Sequence, residues 1–269
     1  MIIILNICDE MMNDRKDILE QLQAGKLTIK EAEELLKKMS LEQIDRLAVI
    51  DYERAERTGI PEVIIASTKE NAQLEQIIEA MVERKGIALL TRTLDSQLEY
   101  LMDNLEDVEF EIWKSKDHNT VLITSMNRES PDKNGLIAIV TAGTSDIAYA
   151  NEVEGVAKFM GVEYISYYDI GIAGMHRLIE PLQEIREKDV DAIVVLAGME
   201  GALPTLIASL VDIPVIGVPI PTGYGYGGNG ETALASMLQS CAPGLSVMNI
   251  GNGFGAGAFA CLIAQRRKR

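Results

Sequence analysis

Two kinds of hydrophobic pattern follow each other along the chain. Up to residue 57, apolar residues recur at the three- and four-residue spacing of amphipathic helices, with a capping box at Thr28 and Glu31 and a second N-cap candidate at Ser40. Residues 63–124 alternate short apolar runs with amphipathic segments and end in a candidate hairpin. We therefore predict helices over residues 13–57 and a small α/β module after them.

From residue 136 onward, short continuous apolar runs alternate with amphipathic segments. Such runs are typical of strands buried on both faces of a parallel sheet, and the alternation predicts a doubly wound α/β fold. The predicted strands are 137–141, 164–168, 192–197, 215–218 and 246–250. The predicted helices are 147–160, 175–187, 203–210, 230–240 and 256–265. The polar stretch 127–135 is interpreted as a linker between an N-terminal domain, 1–126, and a catalytic domain, 136–269.

The composition changes at the same place. Residues 1–130 contain 43 charged residues and three glycines, whereas residues 131–269 contain 23 charged residues and 19 glycines. The formal net charge of −16 makes nucleic acids and anionic membranes poor partners, because both are polyanionic. With 47% hydrophobic residues the chain can bury a core, which excludes wholesale disorder.

Cysteine is sparse and irregularly placed, at Cys8, Cys241 and Cys261. This odd, widely spaced set predicts neither a disulfide framework nor a CxxC metal site, so we expect a reducing, cytoplasmic location. No apolar run reaches 18 residues, and no transmembrane helix is predicted. Residues 1–10 are either the native start or an upstream extension, and residues 266–269 are interpreted as a solvated tail.

Ligands of doubly wound sheets bind outside the carboxyl ends of the strands, so candidate chemistry is expected in those loops. The loop after the first strand contains Gly143, Thr144, Ser145 and Asp146, directly before a predicted helix. Backbone amides of such a loop can cradle a phosphate, and the same residue types are ordinary helix caps. Both interpretations stay open for this loop.

The next two loops carry isolated charged or titratable residues. Arg177 is predicted to bind an anion with His176 as a proton shuttle or ligand contact, and a structural pair at a helix cap is the alternative. In the following loop, Gly198, Met199 and Glu200 precede a helix. A carboxylate among glycines and apolar residues predicts desolvation, a raised pKa and proton transfer, against the alternative of a plain helix N-terminal acid.

Glycine dominates the remaining loops. Five of the eight residues in 223–230 are glycine, which predicts a flexible flap or a surface that a ligand approaches closely. Asn249 and Asn252 lie among glycines that permit either close helix packing or the approach of an anion. Cys241 and Cys261 both suit buried packing, the usual role of a free cysteine.

The loops in order read TAGTSD, YDIGIAGMHR, VLAGMEGALP, VIGVP and NIGNGFGA. This order resembles the LarB family, whose C-terminal domain is similar to PurE-type carboxyaminoimidazole ribonucleotide mutases, and DYERAERTGIPEV at residues 51–63 resembles the LarB N-terminal region. The resemblance implies a PurE-like, flavodoxin-like three-layer domain behind a smaller N-terminal α/β domain. The chain departs from the PurE pattern at Ala202, where PurE has a second histidine, and adds Glu200 and Cys241.

The resemblance also implies a reaction. LarB-type enzymes carboxylate the pyridinium ring of nicotinic acid adenine dinucleotide with CO2 or bicarbonate and hydrolyse its phosphoanhydride to release AMP. The product, pyridinium-3,5-biscarboxylic acid mononucleotide, begins nickel-pincer cofactor synthesis, with LarE and LarC as pathway partners. The resemblance makes Cys241 the nucleophile, and we expect Glu200 to be the base with Asp146 as a supporting acid or base. The expected substrate-binding residues are Gly143, Thr144, Ser145, His176, Arg177, Gly198, Met199, Asn249 and Asn252.

Two further expectations and two alternatives accompany this interpretation. Mg²⁺ would shield charge during anhydride hydrolysis, although no motif establishes a metal site. A PurE-like core implies a homo-octamer with sites shared between subunits. The alternatives are a PurE-like mutase of purine synthesis, against which the missing second histidine counts, and a non-catalytic dinucleotide sensor in which Cys241 only packs.

Overall fold

The computed structural model describes residues 15–44, 48–51, 54–128 and 134–267. The chain divides into two compact units, Met1–Glu62 and Val63–Arg269. Cys8 and the question of where the native chain starts within residues 1–10 lie outside the described part.

In the described part of the first unit, helices flank a hairpin. The elements are α1 Arg15–Gln23, α2 Ile29–Ser40, β1 Leu41–Ile44, β2 Ala48–Asp51 and α3 Arg54–Thr58. The predicted capping box at the start of α2 is confirmed. The Glu31 amide donates to Thr28 Oγ1 at 3.2 Å, and the Thr28 amide donates to Glu31 Oε2 at 2.8 Å. This reciprocal pair satisfies two amides that the first helical turn leaves free.

The helix predicted to begin at Ser40 is wrong in its first part. Ser40 is the last residue of α2, and β1 and β2 pair as an antiparallel hairpin with Leu41 opposite Asp51. Short apolar runs with mixed spacing fit a helix and a strand equally well. Pairing of the two runs adds interstrand hydrogen bonds and places Ile50 in the interior, which favours the strands.

The second unit begins with a four-stranded sheet in the order β3-β4-β6-β5. Its elements are β3 Ile64–Ile65, a 3-10 turn Ala66–Thr68, α4 Asn71–Lys85, β4 Ile87–Thr93, α5 Asp95–Asn104, β5 Val108–Trp113 and β6 Asn119–Ser125. The predicted hairpin is confirmed, because β5 and β6 are antiparallel with Val108 opposite Ser125 and Trp113 opposite Thr120.

A five-stranded sheet in the order β11-β10-β9-β7-β8 follows, and all its neighbouring strands are parallel. Its elements are β7 Leu136–Thr141, α6 Ile147–Phe159, β8 Glu163–Tyr167, α7 Ile179–Glu187, β9 Ala192–Ala197, α8 Leu203–Ala208, β10 Val215–Pro219, α9 Glu231–Leu238, β11 Leu245–Val247 and α10 Gly253–Arg267, with 3-10 stretches at Thr144–Asp146 and Ile172–Leu178. The predicted doubly wound parallel sheet is confirmed.

Helices cover both faces of this sheet, which gives three layers. Alternate residues of the strands, such as Val140 and Val195, pack against Ile185 of α7, Ile207 of α8 and Met237 of α9. Helices α6 and α10 pack against each other and against the strands from the other side. Burial on both faces explains why the strands read as continuous apolar runs.

Helix α6 joins the two sheets into one unit. It packs on the five-stranded sheet and also on β4 and β6 of the four-stranded sheet. A Cβ at Gly155 would lie 2.6 Å from Thr120 Cγ2, so the helix approaches β6 too closely for a side chain. In the sequence, the predicted linker 127–135 comes after the last strand of the four-stranded sheet and before the first strand of the five-stranded sheet. The division into domains 1–126 and 136–269 stays a prediction.

The end of helix α10 is anchored by ion pairs. Arg266 and Arg267 are exposed, as predicted for a solvated tail, but they still belong to α10. Arg267 lies 2.7 Å from Asp189 and 2.9 Å from Asp191, while residues 268–269 lie outside the described part. In the middle of α10, Cys261 is fully buried as predicted, and burial raises the pKa of its thiol to about 12. A thiol protonated so firmly is suited to packing rather than to nucleophilic attack.

Candidate active site

A cleft of about 480 Å³ opens at the carboxyl edge of the five-stranded sheet. The loops after β7, β8, β9 and β10 line it, in keeping with the rule for doubly wound sheets. Its lining residues are Ala142, Gly143, Ser145, Asp146, Gly171, Ile172, Ala173, Ala197, Gly198, Met199, Glu200, Ala202, Leu203, Thr222, Gly223 and Tyr224. Six of these are site residues predicted from the sequence, namely Gly143, Ser145, Asp146, Gly198, Met199 and Glu200.

Asp146 is the most enclosed polar group in the cleft. Its side chain is 2% exposed, and Oδ2 accepts a hydrogen bond from the Gly143 amide at 2.9 Å. Oδ1 accepts from Ser145 Oγ and from Thr222 Oγ1, each at 3.3 Å. Burial raises the pKa of Asp146, and these hydrogen bonds oppose that rise. A carboxyl whose pKa is raised by burial is a candidate for proton transfer.

The loop after β7 is folded around Asp146. Because the Gly143 amide already donates to the Asp146 carboxylate, it does not point freely toward a phosphate. Thr144 is exposed and does not line the cleft. These contacts favour a turn closed on itself over an open phosphate cradle, and the predicted substrate-binding role of Gly143, Thr144 and Ser145 stays a prediction.

Glu200 enters the cleft from a strained turn after β9. Met199 has φ of +52°, a backbone conformation that is costly for a residue with a side chain and that often marks functional sites. Its amide donates to the Thr222 carbonyl at 3.3 Å, and a Cβ at Gly198 would lie 2.4 Å from that same oxygen. The Glu200 side chain is exposed in the single chain, so the predicted desolvation of this residue is wrong there.

The charges in the cleft have one sign. Of the described residues that line it, Asp146 and Glu200 are the acidic ones, and none is a lysine, arginine or histidine. Ile172, Ala173 and Leu203 give the wall an apolar character. Two carboxyl groups beside an apolar surface complement a flat cation better than an anion.

His176 and Arg177 are not brought into the cleft. Both belong to the 3-10 stretch Ile172–Leu178, whose first residues do line it. Arg177 Nη1 lies 2.8 Å from Asp169 Oδ2, and His176 is exposed. In the single chain, the arginine predicted to bind an anion is thus paired with an aspartate of its own loop.

Cys241 lies at the opposite edge of the sheet. It is exposed in the loop between α9 and β11, and in that loop the Gly244 carbonyl accepts a hydrogen bond from the amide of Val215, the first residue of β10. The cleft lies beyond the last residue of the same strand. The length of β10, about 13 Å at 3.3 Å per residue, therefore separates the two edges. The cysteine and the cleft of one chain do not form a common site.

Asn249 and Asn252 shape the loop before α10. Asn252 Oδ1 accepts a hydrogen bond from the Gly255 amide at 2.9 Å, as a helix cap does, and Asn249 Oδ1 accepts from the Ile250 amide at 2.9 Å. Neither residue lines the cleft. The packing interpretation of this loop agrees with these contacts, whereas their predicted role in substrate binding stays a prediction.

Sequence reasoning did not select Thr222 or the segment 171–173. Thr222 lies in the PIPTG stretch at the end of β10, and the one feature that could have pointed to it was its position in a loop at the carboxyl end of a strand.

Within the described ranges, no three histidine, cysteine, aspartate or glutamate side chains are grouped so that they could hold a metal ion. Over the same ranges, no helix has the length and apolar character needed to cross a membrane.

Comparison with known proteins finds two matching family models. Residues 136–269 match the AIR carboxylase family, and residues 41–115 match the LarB/PurE-like N-terminal domain. An uncharacterised protein of Methanocaldococcus jannaschii is 44% identical over 263 residues, which are 95% of this chain and 98% of that protein.

Other similar proteins carry a named activity. N5-carboxyaminoimidazole ribonucleotide mutases of Methanocaldococcus jannaschii and Aquifex aeolicus are 32% and 33% identical to this chain. The alignments cover 43% and 48% of this chain, and 69% and 75% of the mutases. The AIR carboxylase match indicates an enzyme of the carboxylase and mutase type. Together with the LarB/PurE-like N-terminal match, it shows that the chain belongs to the LarB-like proteins, which carry a PurE-like domain.

Proposed function

We propose that this protein carboxylates the pyridinium ring of nicotinic acid adenine dinucleotide with CO2 or bicarbonate and hydrolyses the phosphoanhydride to release AMP. The observation that carries the proposal is the pair of carboxyl groups, Asp146 and Glu200, in a cleft whose described lining includes no cationic side chain. A positively charged ring is favoured there. An anionic sugar phosphate, by contrast, finds no basic side chain in the cleft of the single chain.

The ring must become nucleophilic before it can attack CO2. In the proposed mechanism the Cys241 thiolate adds to ring carbon 4, and the π electrons move to the ring nitrogen to give a neutral dihydropyridine. Carbon 5 is then an enamine carbon and forms a bond to CO2. A base removes the proton from carbon 5, and expulsion of the thiolate restores the aromatic cation. No electrons are lost overall, and one proton is released.

The carboxyl groups divide this work according to their environments. Glu200 is exposed at the cleft, and we assign it as the base that takes the carbon 5 proton. Asp146, whose pKa is raised by burial, acts as a supporting acid or base. Ser145 and Thr222 hold its carboxyl group in place through their hydroxyls.

Because Cys241 lies at the other edge of its own sheet, we propose that a second copy of the chain supplies it. The homo-octamer expected of a PurE-like core provides such a neighbour, and the same arrangement can bring basic groups to the dinucleotide phosphates. Ser145, His176 and Arg177 remain candidates for phosphate contacts, with Arg177 leaving Asp169 when substrate binds. Mg²⁺, held by substrate phosphates and one or two carboxylates, would shield charge when water attacks the anhydride.

The test is mass spectrometry of the products formed from the dinucleotide and ¹³C-labelled bicarbonate. We expect AMP and a mononucleotide that has gained one labelled carboxyl group. Cys241→Ala and Glu200→Gln are each expected to abolish carboxylation while leaving the fold intact, whereas Cys261→Ala, at the buried cysteine, should keep it. Full activity of Cys241→Ala would exclude covalent catalysis.

The mutase relatives favour a second candidate, a PurE-like reaction on carboxyaminoimidazole ribonucleotide. The same assay with that substrate separates the two, because each candidate reaction consumes a different substrate. A dinucleotide that is bound but left unchanged would instead indicate a sensor. In the pathway that the LarB family serves, the proposed product would pass to LarE and LarC.

A further inference from the structure

A second, smaller cavity adjoins the cleft. Its volume is about 170 Å³, and it is lined by Met199, Glu200, Thr222, Gly223, Tyr224, Tyr226, Gly227, Gly228, Gly230 and Thr232. Five of these residues, from Met199 to Tyr224, also line the cleft. The two cavities therefore share a wall and form two lobes of one site. We call the cleft the main lobe and the smaller cavity, beside the glycine-rich loop 223–230, the flap lobe.

The flap lobe is too small for a whole ligand. Sites that enclose a complete small molecule have volumes of roughly 300–1,000 Å³, a range that includes the main lobe but not the flap lobe. A cavity of about 170 Å³ beside such a site accommodates one part of a larger molecule. A ligand with two ring systems joined by a linker matches two lobes with a common wall.

The lining of the flap lobe favours an uncharged flat ring. Glu200, on the shared wall, is its one charged residue among those described, and no basic side chain lines it. Tyr226 is completely exposed, and Tyr224 is 83% exposed. Two exposed aromatic faces next to glycine backbone are suited to stacking, which nucleobases accept on both faces.

Hydrogen bonds anchor the backbone of loop 223–230, although the rings of Tyr224 and Tyr226 are exposed. The Thr232 amide donates to the Gly227 carbonyl at 3.2 Å, and Thr232 Oγ1 donates to the Tyr226 carbonyl at 3.4 Å. Gly227 has φ of +72°, and a Cβ there would meet the Thr232 hydroxyl at 1.6 Å. Helix α9 thus holds the main chain of Tyr226 beside the lobe.

We propose that the flap lobe binds the adenine base of the dinucleotide by stacking on Tyr226, with Tyr224 on the wall between the two lobes. The proposal rests on the function proposed above, and it names the part of the site that recognises the non-reacting half of the substrate. Binding energy from that half would hold the pyridinium ring in the main lobe during the reaction.

The test compares Tyr226→Ala with Tyr226→Phe on two substrates, the whole dinucleotide and nicotinic acid mononucleotide, which lacks the adenylate half. Loss of one base–aromatic stack corresponds to a KM for the dinucleotide about tenfold higher in Tyr226→Ala. The KM for the mononucleotide should not change. Tyr226→Phe keeps the ring face and should restore the dinucleotide KM. An unchanged KM, or an equal rise for both substrates, would overturn the proposal.

Direct binding of AMP distinguishes failure of this proposal from failure of the proposed function. Calorimetric titration of AMP into the wild-type protein and the two variants requires no turnover. Weaker binding to Tyr226→Ala than to Tyr226→Phe supports the adenine site even if no carboxylation is found. Equal binding to all three proteins, together with normal carboxylation, rejects the adenine site and leaves the proposed function standing.

Discussion

Thr222 donates a hydrogen bond to Asp146, with 3.3 Å between Oγ1 and Oδ1, and this bond joins the loop after β10 to the loop after β7. Burial raises the pKa of Asp146, while the hydroxyls of Thr222 and Ser145 favour its ionised form. The protonation of the most enclosed carboxyl group in the cleft is therefore controlled from a second loop.

The first prediction concerns that control. Thr222→Val removes a hydrogen bond that lowers the pKa of Asp146, so the pKa should rise further. The limb of the pH–rate profile that reports Asp146 should then move to higher pH, with a modest fall in kcat at neutral pH. The measurement is kcat against pH for carboxylation of the dinucleotide. Ser145→Ala should shift the limb in the same direction, whereas Ser209→Ala, at the end of α8 away from the cleft, should not shift it. A shift toward lower pH would contradict the assignment.

The second prediction links Asp146 to stability. Its pKa in the folded protein is raised above the ordinary value of 3.8, so the carboxyl contributes stability that is present below that value and lost as pH rises through the folded pKa. Relative to Asp146→Asn, the wild type should therefore lose stability as pH rises above about 4. Urea unfolding over a pH series measures the difference. Asp212→Asn, at an exposed position, controls for the loss of one negative charge. A wild type that gains stability relative to Asp146→Asn as pH rises would refute the prediction.

The third prediction tests the shared site. Cys241→Ala and Glu200→Gln should each be inactive alone, because each lacks one half of the chemistry. When the two variants are denatured together and refolded, mixed oligomers contain some sites with an intact Cys241 facing an intact Glu200, and part of the activity should return. Mixing without unfolding is the control. Absence of recovery in oligomers shown to be mixed would mean that both residues act from one chain.

The fourth prediction concerns Glu152, a carboxylate in α6 that is 1% exposed. Its Oε1 accepts from Arg92 Nε at 3.2 Å, and its Oε2 accepts from the Phe254 amide at 3.1 Å. Arg92, with φ of +55°, also donates to the Gly251 carbonyl. Arg92→Ala leaves the buried carboxylate without its cation and should lower the free energy of unfolding by roughly 1–3 kcal/mol, as the guanidinium is partly exposed.

The matched control for Arg92 is a surface ion pair. Lys158 lies 2.9 Å from Glu111, and both side chains are about half exposed. Lys158→Ala should change stability by about 0–1 kcal/mol, because water screens such a pair. Urea midpoints of the two variants give the comparison. Equal losses of stability in the two variants would show that the buried Glu152 carboxylate does not need Arg92 as its cationic partner.

Much of the second unit could be predicted from sequence because its pattern has one interpretation. Continuous apolar runs followed by amphipathic segments encode buried parallel strands and covering helices. In the first unit, the Thr28–Glu31 capping box was correctly located. The hairpin Leu41–Asp51 was missed because its apolar spacing suits a helix as well as a strand. The choice between them depends on a partner strand that local sequence does not identify.

The sequence alone was sufficient to identify the strands and the loops at their carboxyl ends. It also predicted that Gly143, Asp146 and Glu200 are neighbours, because parallel strands bring those loops to one edge of the sheet. Only the tertiary structure showed that Thr222 bonds to Asp146 and that Cys241 lies at the opposite edge. Hydrophobic periodicity records which face of an element is buried. It does not record strand order or the path of a loop, and these long-range arrangements decide which polar side chains meet.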